Sequence, residues 1–221
     1  PTPLKIKIDP KNYYLSYYPR QKLTAEMIRD NILVSSGLFN NKLGGPSVKP
    51  YQPPGLWDEL TGGSTSNSLK RYIMSTNGNQ YRRSLYTYWK RTAPPPGMIT
   101  FDAATRDFCA VERQRTSTPL QSLILLNDPQ VQNAANALAS NILTTDLKSD
   151  RNRVYKLHRM ITGRSPEKKA LNEMINYLKE VKKIHLEDNK SLSLDQIKLD
   201  QKVYTSMILL IYNLDETSQK S

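Results

Sequence analysis

Apolar positions along the second half of the chain recur at helical spacing. An earlier stretch, residues 24–36, predicts the first clear helix, with Thr24 as N-cap and Ile28, Ile32 and Leu33 as its apolar stripe. Gly37 follows where a left-handed residue ends a helix. The same pattern predicts a buried helix over residues 119–126 and further helices over 129–143, 151–161, 165–184 and 194–214. In the last of these, we predict a core stripe of Val203, Met207, Leu210, Ile211 and Leu214. We therefore predict a mainly α-helical fold with little β structure.

The first half of the chain gives weaker signals. Residues 4–8 alternate apolar side chains with lysines and predict a short strand that ends at Asp9. Residues 81–91 fit a helix or a strand, and we favour a helix because the prolines at 94–96 would end it. Glycine and proline are frequent from Gly37 to Gly97. We interpret residues 1–221 as one domain, with a loop-rich, basic and aromatic half (1–110) and a helical half (111–221).

Composition narrows the function classes. The formal net charge is +12, and no apolar run approaches the roughly 20 residues of a membrane-spanning helix. The chain has one cysteine and two histidines, which exclude an internal disulfide and leave little for a metal centre. A covalent c-type haem is excluded because Cys-x-x-Cys-His is absent, and we expect no cofactor within this chain. We predict that Cys109 is a packed thiol and that His158 is exposed or half-buried.

The strongest chemical pattern combines arginines with aromatic residues in the middle of the chain. Arginine forks bind carboxylates and sulfates, and aromatic faces stack on sugar rings, so the pattern suits an anionic glycan. Alternatively, the arginines pair with Asp102, Asp107, Glu112 and Asp128 and hold irregular loops together. Nucleic acid is disfavoured, because the basic residues form no run and no known module signature occurs. The predicted binding residues are Arg82, Arg83, Tyr86, Trp89, Arg91, Arg106, Arg113 and Arg115.

Two carboxylates near these arginines have separate predicted roles. Asp102, between Phe101 and two alanines, is the candidate for general acid/base catalysis. Asp128 precedes Pro129, so we predict that it caps a helix. Whether the chain is an enzyme stays open at this point.

Several long motifs resemble a known family, the C-terminal domain of unknown function of planctomycete-type cytochrome c proteins (the PSD domain family). They are the run GGPSVKPYQP at 44–53 with Gly55-Leu56-Trp57, the run YRRSLYT at 81–87 continuing to Ala103, the block from Arg113 to Pro129, and the ending YNLDE at 212–216. The resemblance spans residues 10–217 in the family's order. The chain departs from the family pattern at Ala104 and Ser117.

This resemblance carries expectations about architecture and location. Such proteins are exported and carry a haem-binding cytochrome c domain upstream, so the chain would be the C-terminal part of a periplasmic or cell-envelope protein. A redox role on carbohydrate is suspected for them, with this domain forming part of an anionic-glycan cleft. The alternative is a non-catalytic assembly module. The expected partners are the upstream domains and other envelope proteins.

Overall fold

The protein is mainly α-helical, as predicted. The computed structural model describes residues 2–18, 21–59, 72–109, 111–147, 149–188 and 196–220. The helices are α1 (Pro3–Ile8), α2 (Ala25–Ser36), α3 (Leu56–Glu59), α4 (Pro96–Thr100), α5 (Pro119–Asn127), α6 (Pro129–Thr144), α7 (Asp150–Thr162), α8 (Lys168–Asp188), α9 (Gln196–Tyr212) and α10 (Asp215–Ser218), and the strands are β1 (Gln21–Lys22) and β2 (Gln219–Lys220). The predicted start of the last helix at residue 194 lies outside the described residues.

The main core lies between α6 and α9, with α2, α7 and α8 packed around them. Alanines at 134, 135 and 139 give α6 a face of small side chains, which lets α9 approach closely. The predicted stripe of α9 is in this core, where Val203, Met207 and Ile211 are fully buried. Burial of this apolar stripe stabilises the helical half.

The helix ends follow the predicted capping chemistry. Thr24 Oγ1 accepts a hydrogen bond from the Met27 amide, and Gly37 ends α2 with a φ of 77°. Asp128 accepts from the amides of Gln130 and Val131 at the start of α6. Local side-chain signals therefore fix where these helices begin and end.

Two predictions about the first half are wrong. Residues 4–8 form helix α1 rather than a strand, because Pro3 occupies its first position and Thr2 caps it. Residues 81–91 form no α-helix; instead, 3₁₀ turns span Asn79–Tyr81 and Ser84–Tyr86. Their backbone groups bond to the loop that contains Val48, whose amide donates to the Tyr86 carbonyl and whose carbonyl accepts from Tyr88.

The described C-terminal segment pairs with the segment before α2. Strands β1 and β2 are antiparallel, with Gln21 opposite Lys220 and Lys22 opposite Gln219. The Leu23 amide also donates to the Ser218 carbonyl at 2.8 Å. Within the described residues, no helix combines the length and apolar character that crossing a bilayer requires.

Candidate functional site

The predicted binding residues do not share one cleft. Arg82 and Tyr86 contact the loop at 42–46, and Trp89 and Arg106 contact each other. Asp102, Arg113 and Arg115 line a separate cleft. Arg83 and Arg91 are exposed on the surface.

Arg82 is buried and holds a neighbouring loop. Arg82 is only 2% exposed, and its guanidinium donates to the carbonyls of Lys42, Gly44 and Pro46. The guanidinium also lies over the Tyr86 ring, 3.9 Å from the centroid. These contacts use the fork to hold the loop at 42–46, and they leave Arg82 too deep to bind a ligand directly.

Trp89 and Arg106 hold the loop that follows α4. The Trp89 indole N–H donates to the Thr105 carbonyl at 2.9 Å, and the Arg106 guanidinium lies 4.8 Å from the Trp89 ring centroid. The Trp89 ring also packs against a small buried cluster of Ala25, Met98 and Ala103. Arg106 itself is exposed, so its outer edge remains accessible.

Asp102 lies in a cleft of about 200 Å³ beside the start of α2. Its carboxylate accepts from the Thr116 amide at 2.6 Å and from the Thr116 hydroxyl at 2.9 Å. The backbone at Asp102 is left-handed, with a φ of 60°. Both carboxylate oxygens therefore have a partner, and their present role is to hold residue 116.

Lys22 adds a cation to this cleft. Its ammonium donates to the Thr116 carbonyl and to Gln121 Oε1. Burial lowers the pKa of Lys22, and the nearby carboxylates of Asp102 and Asp215 partly offset that effect. No local pattern could identify Lys22, since it lies about 80 residues from Asp102 along the chain.

The predicted arginine–carboxylate pairs are not those that form. Arg113 pairs with Glu26 of α2 at 3.0 Å, while none of the four predicted acids forms an ion pair with a predicted arginine in the described part of the chain. Arg115 is exposed at the edge of the Asp102 cleft. Asp128 caps α6 as predicted, and burial raises the pKa of its carboxyl.

A larger pocket, which sequence reasoning missed, lies between α2, α4, the loop at 50–53 and the junction of α5 with α6. Its volume is about 390 Å³, comparable with small-molecule sites. The lining is mostly apolar and includes Pro50, Pro95, Met98, Phe101 and Leu123. These residues are distant in sequence, so no local motif could identify the pocket.

Two polar side chains of the pocket wall, Arg29 and Tyr72, are already paired, whereas the buried Thr87 hydroxyl has no partner. Arg29 donates to Gln130 Oε1, Ser84 Oγ and the carbonyls of Gln80 and Arg82. Burial lowers the pKa of Arg29 to about 10, so it stays charged at neutral pH. Tyr72 donates to the Pro50 carbonyl. The wall therefore offers mainly apolar surface to a ligand.

Helix α5 exposes an apolar stripe beside this pocket. Leu120, Leu123 and Leu126 are all exposed, although the pattern predicted a buried helix. Only Leu125 and Gln121 of α5 are buried. Leu123 belongs both to the stripe and to the pocket lining, so the two features are continuous.

The predictions about the exposure of Cys109 and His158 are both wrong. Cys109 is exposed and not a packed thiol. His158 is buried in α7, where Nδ1 lies 3.0 Å from the Arg164 carbonyl and Nε2 lies 3.3 Å from Glu216. Among the described residues, no three His, Cys, Asp or Glu side chains are grouped to hold a metal ion.

Comparison with known proteins gives a family without an assigned activity. The model of the family PSD1, described as a protein of unknown function (DUF1553), matches residues 1–178. No curated protein matches the chain, and no solved structure does. The cytochrome c association implied by the motifs stays a prediction.

Proposed function

Because the chain belongs to the PSD1 family of proteins of unknown function, we propose its role from its geometry: it is an assembly domain that binds apolar side chains of a partner polypeptide in the pocket beside α5. The observation that carries this proposal is the continuity of that pocket with the exposed leucine stripe of α5. Continuous exposed apolar surface of this kind is typical of interaction sites.

The chemistry of the pocket favours a polypeptide over a sugar. Each sugar hydroxyl that enters a pocket needs a hydrogen-bond partner, because burying it unpaired is costly. Arg29 and Tyr72 already bond to groups of this chain, and the unpaired Thr87 hydroxyl is buried. Leucine-like or aromatic side chains need no such partners, and their burial is favourable.

We place this domain in an exported cell-envelope protein, with a c-type haem on an upstream domain. The support for location and haem is the resemblance of the motifs alone. The partner polypeptide would then be an upstream domain or another envelope protein. A visible absorption spectrum of the natively purified full-length protein tests whether a c-type haem is present. Absence of a c-type spectrum would contradict the proposed haem domain and leave the docking proposal unaffected.

Site-specific photo-cross-linking of the full-length protein tests the docking proposal. A benzophenone amino acid replaces Leu123 in one variant and Ile184 of α8 in the control, because both positions are 55% exposed. We expect mass spectrometry to place cross-links from position 123 on one defined segment of another domain or of a copurifying subunit. Equal cross-linking from both positions, or none from 123, would contradict the proposal.

An anionic glycan at the Asp102 cleft is the second candidate function. It is favoured because the cleft combines Asp102, Arg113 and Arg115 with Lys22. Here Arg115 would bind a sulfate or carboxylate, and Asp102 could move a proton only after releasing Thr116. Calorimetry with sulfated and uronate oligosaccharides tests it: Arg115→Ala should abolish binding at an unchanged melting temperature, whereas no binding to the unmodified chain would refute it.

A further inference from the structure

The N-terminal segment, residues 2–18, exposes an unusual amount of apolar surface. No residue of α1 is buried. Tyr13, Tyr14 and Leu15 form the tip of the loop after α1 and are 77%, 84% and 83% exposed. The exposed large apolar side chains of the segment are Leu4, Ile6, Ile8, Tyr13, Tyr14, Leu15 and Tyr18.

Specific hydrogen bonds build this tip. The buried Asp9 carboxylate accepts from the amides of Tyr13 and Tyr14 at 2.8 and 2.9 Å. Asn12 both donates to the Tyr17 carbonyl and accepts from the Tyr17 amide. Leu15 has a φ of 50°, which is strained for a side chain of its size. Strained backbone that presents an exposed leucine is typical of a functional loop rather than of packing.

The charge around the tip is positive. Lys5, Lys7 and Lys11 are exposed, and none of them forms an ion pair with a described residue. Residues 2–18 contain one acidic side chain, Asp9, which is buried and accepts hydrogen bonds from the loop amides. A partner surface that fits this segment should therefore have an apolar layer for the tip and an anionic layer for the lysines.

We propose that the tip at 13–15 inserts into the headgroup region of an anionic lipid bilayer, with the three lysines facing the lipid phosphates. Tyrosine rings favour the bilayer interface, and lysines near an anionic leaflet are attracted to it. The tip combines exposed tyrosine and leucine side chains with three exposed lysines, and this combination matches the interface and the phosphate layer of an anionic bilayer. This site is distinct from the pocket beside α5.

Vesicle sedimentation of the whole chain tests this inference. The probes are vesicles of phosphatidylcholine with 30% phosphatidylglycerol, and vesicles of phosphatidylcholine alone. We expect binding to the first, weakened at 0.5 M NaCl because salt screens the lysines. The double variant Tyr14→Ser/Leu15→Ser should bind about tenfold more weakly, as two apolar insertions are lost. Lys7→Gln/Lys11→Gln should bind about twentyfold more weakly.

A matched control separates insertion from general attraction by the net charge. The double variant Ile184→Ser/Leu186→Ser removes two exposed apolar side chains from α8 and should bind like the unmodified chain. Circular dichroism should show all variants folded, since the replaced side chains are exposed. Equal binding of the tip variant and the unmodified chain, equal binding to both vesicle types, or no binding at all would overturn the proposal.

Discussion

Replacement of Arg82 by alanine should destabilise the fold, because the side chain holds a loop from inside. Three carbonyls and the Tyr86 ring lose their partner. Hydrogen bonds to a charged group contribute about 1.5–3 kcal/mol each, and a buried cation–π contact up to about 2 kcal/mol. Lys42 and Gly44 are exposed residues, so their carbonyls can bond to water in the variant. The net loss should therefore be about 3 kcal/mol.

Urea unfolding and calorimetry measure this loss directly. For a chain of this length, about 3 kcal/mol corresponds to a melting temperature lower by ~6–12 °C. Arg82→Lys should recover only part of the loss, because an ammonium lacks the fork that reaches three carbonyls. Arg83→Ala is the matched control: Arg83 is exposed, so its replacement should change the free energy of unfolding by less than about 0.5 kcal/mol.

Two results would refute this reasoning. If Arg82→Ala changed stability no more than Arg83→Ala, the contacts to the loop at 42–46 would contribute nothing to the folded state. If Arg82→Ala abolished binding of an anionic oligosaccharide without changing stability, Arg82 would bind ligand as the sequence pattern predicted. The structure leads us to expect neither.

Three further predictions concern single residues. Burial raises the pKa of Tyr212 to about 12, whereas an unfolded tyrosine ionises near pH 10. Because the unfolded chain loses this proton first, the free energy of unfolding should fall between about pH 10 and 12. Urea midpoints measured across this range should fall less steeply for Tyr212→Phe. Asp128→Ala should cost about 1 kcal/mol in urea unfolding through loss of the α6 cap, and Asp128→Asn less; equal costs would contradict the capping role. Gly163→Ala should cost about 1 kcal/mol in the same assay, because its φ of 75° strains any side chain, while Gly97→Ala, which meets no atom within 4 Å, should be near neutral.

The helical half could be predicted from the sequence because its signals are local. Thr24, Asp128 and Gly163 mark helix ends through contacts within a few residues, and the stripe of α9 repeats at a period that only a helix satisfies. The first half could not be predicted in this way. Tyr86 and Tyr88 bond to Val48, nearly 40 residues away, and a periodicity argument contains no information about such pairings.

The candidate sites show the same limit. The arginine and aromatic residues could be found from their types, but their roles depend on which backbone groups they reach. Arg82 faces three carbonyls, and the partner of Arg113 is Glu26 rather than a carboxylate close in sequence. The pocket beside α5 could not be predicted at all, since its walls come from six separate parts of the chain.

The position of α9 has a consequence for how this family is cut and aligned. The match to the family model ends at residue 178, which lies inside α8, whereas α9 begins at Gln196 and fills the centre of the core. A fragment that stopped at the matched boundary would uncover the face of α6 that packs against α9. Such a fragment should aggregate or remain partly folded unless another helix replaces α9. Expression boundaries for this family should therefore be drawn from the packed core, and not from the extent of sequence similarity.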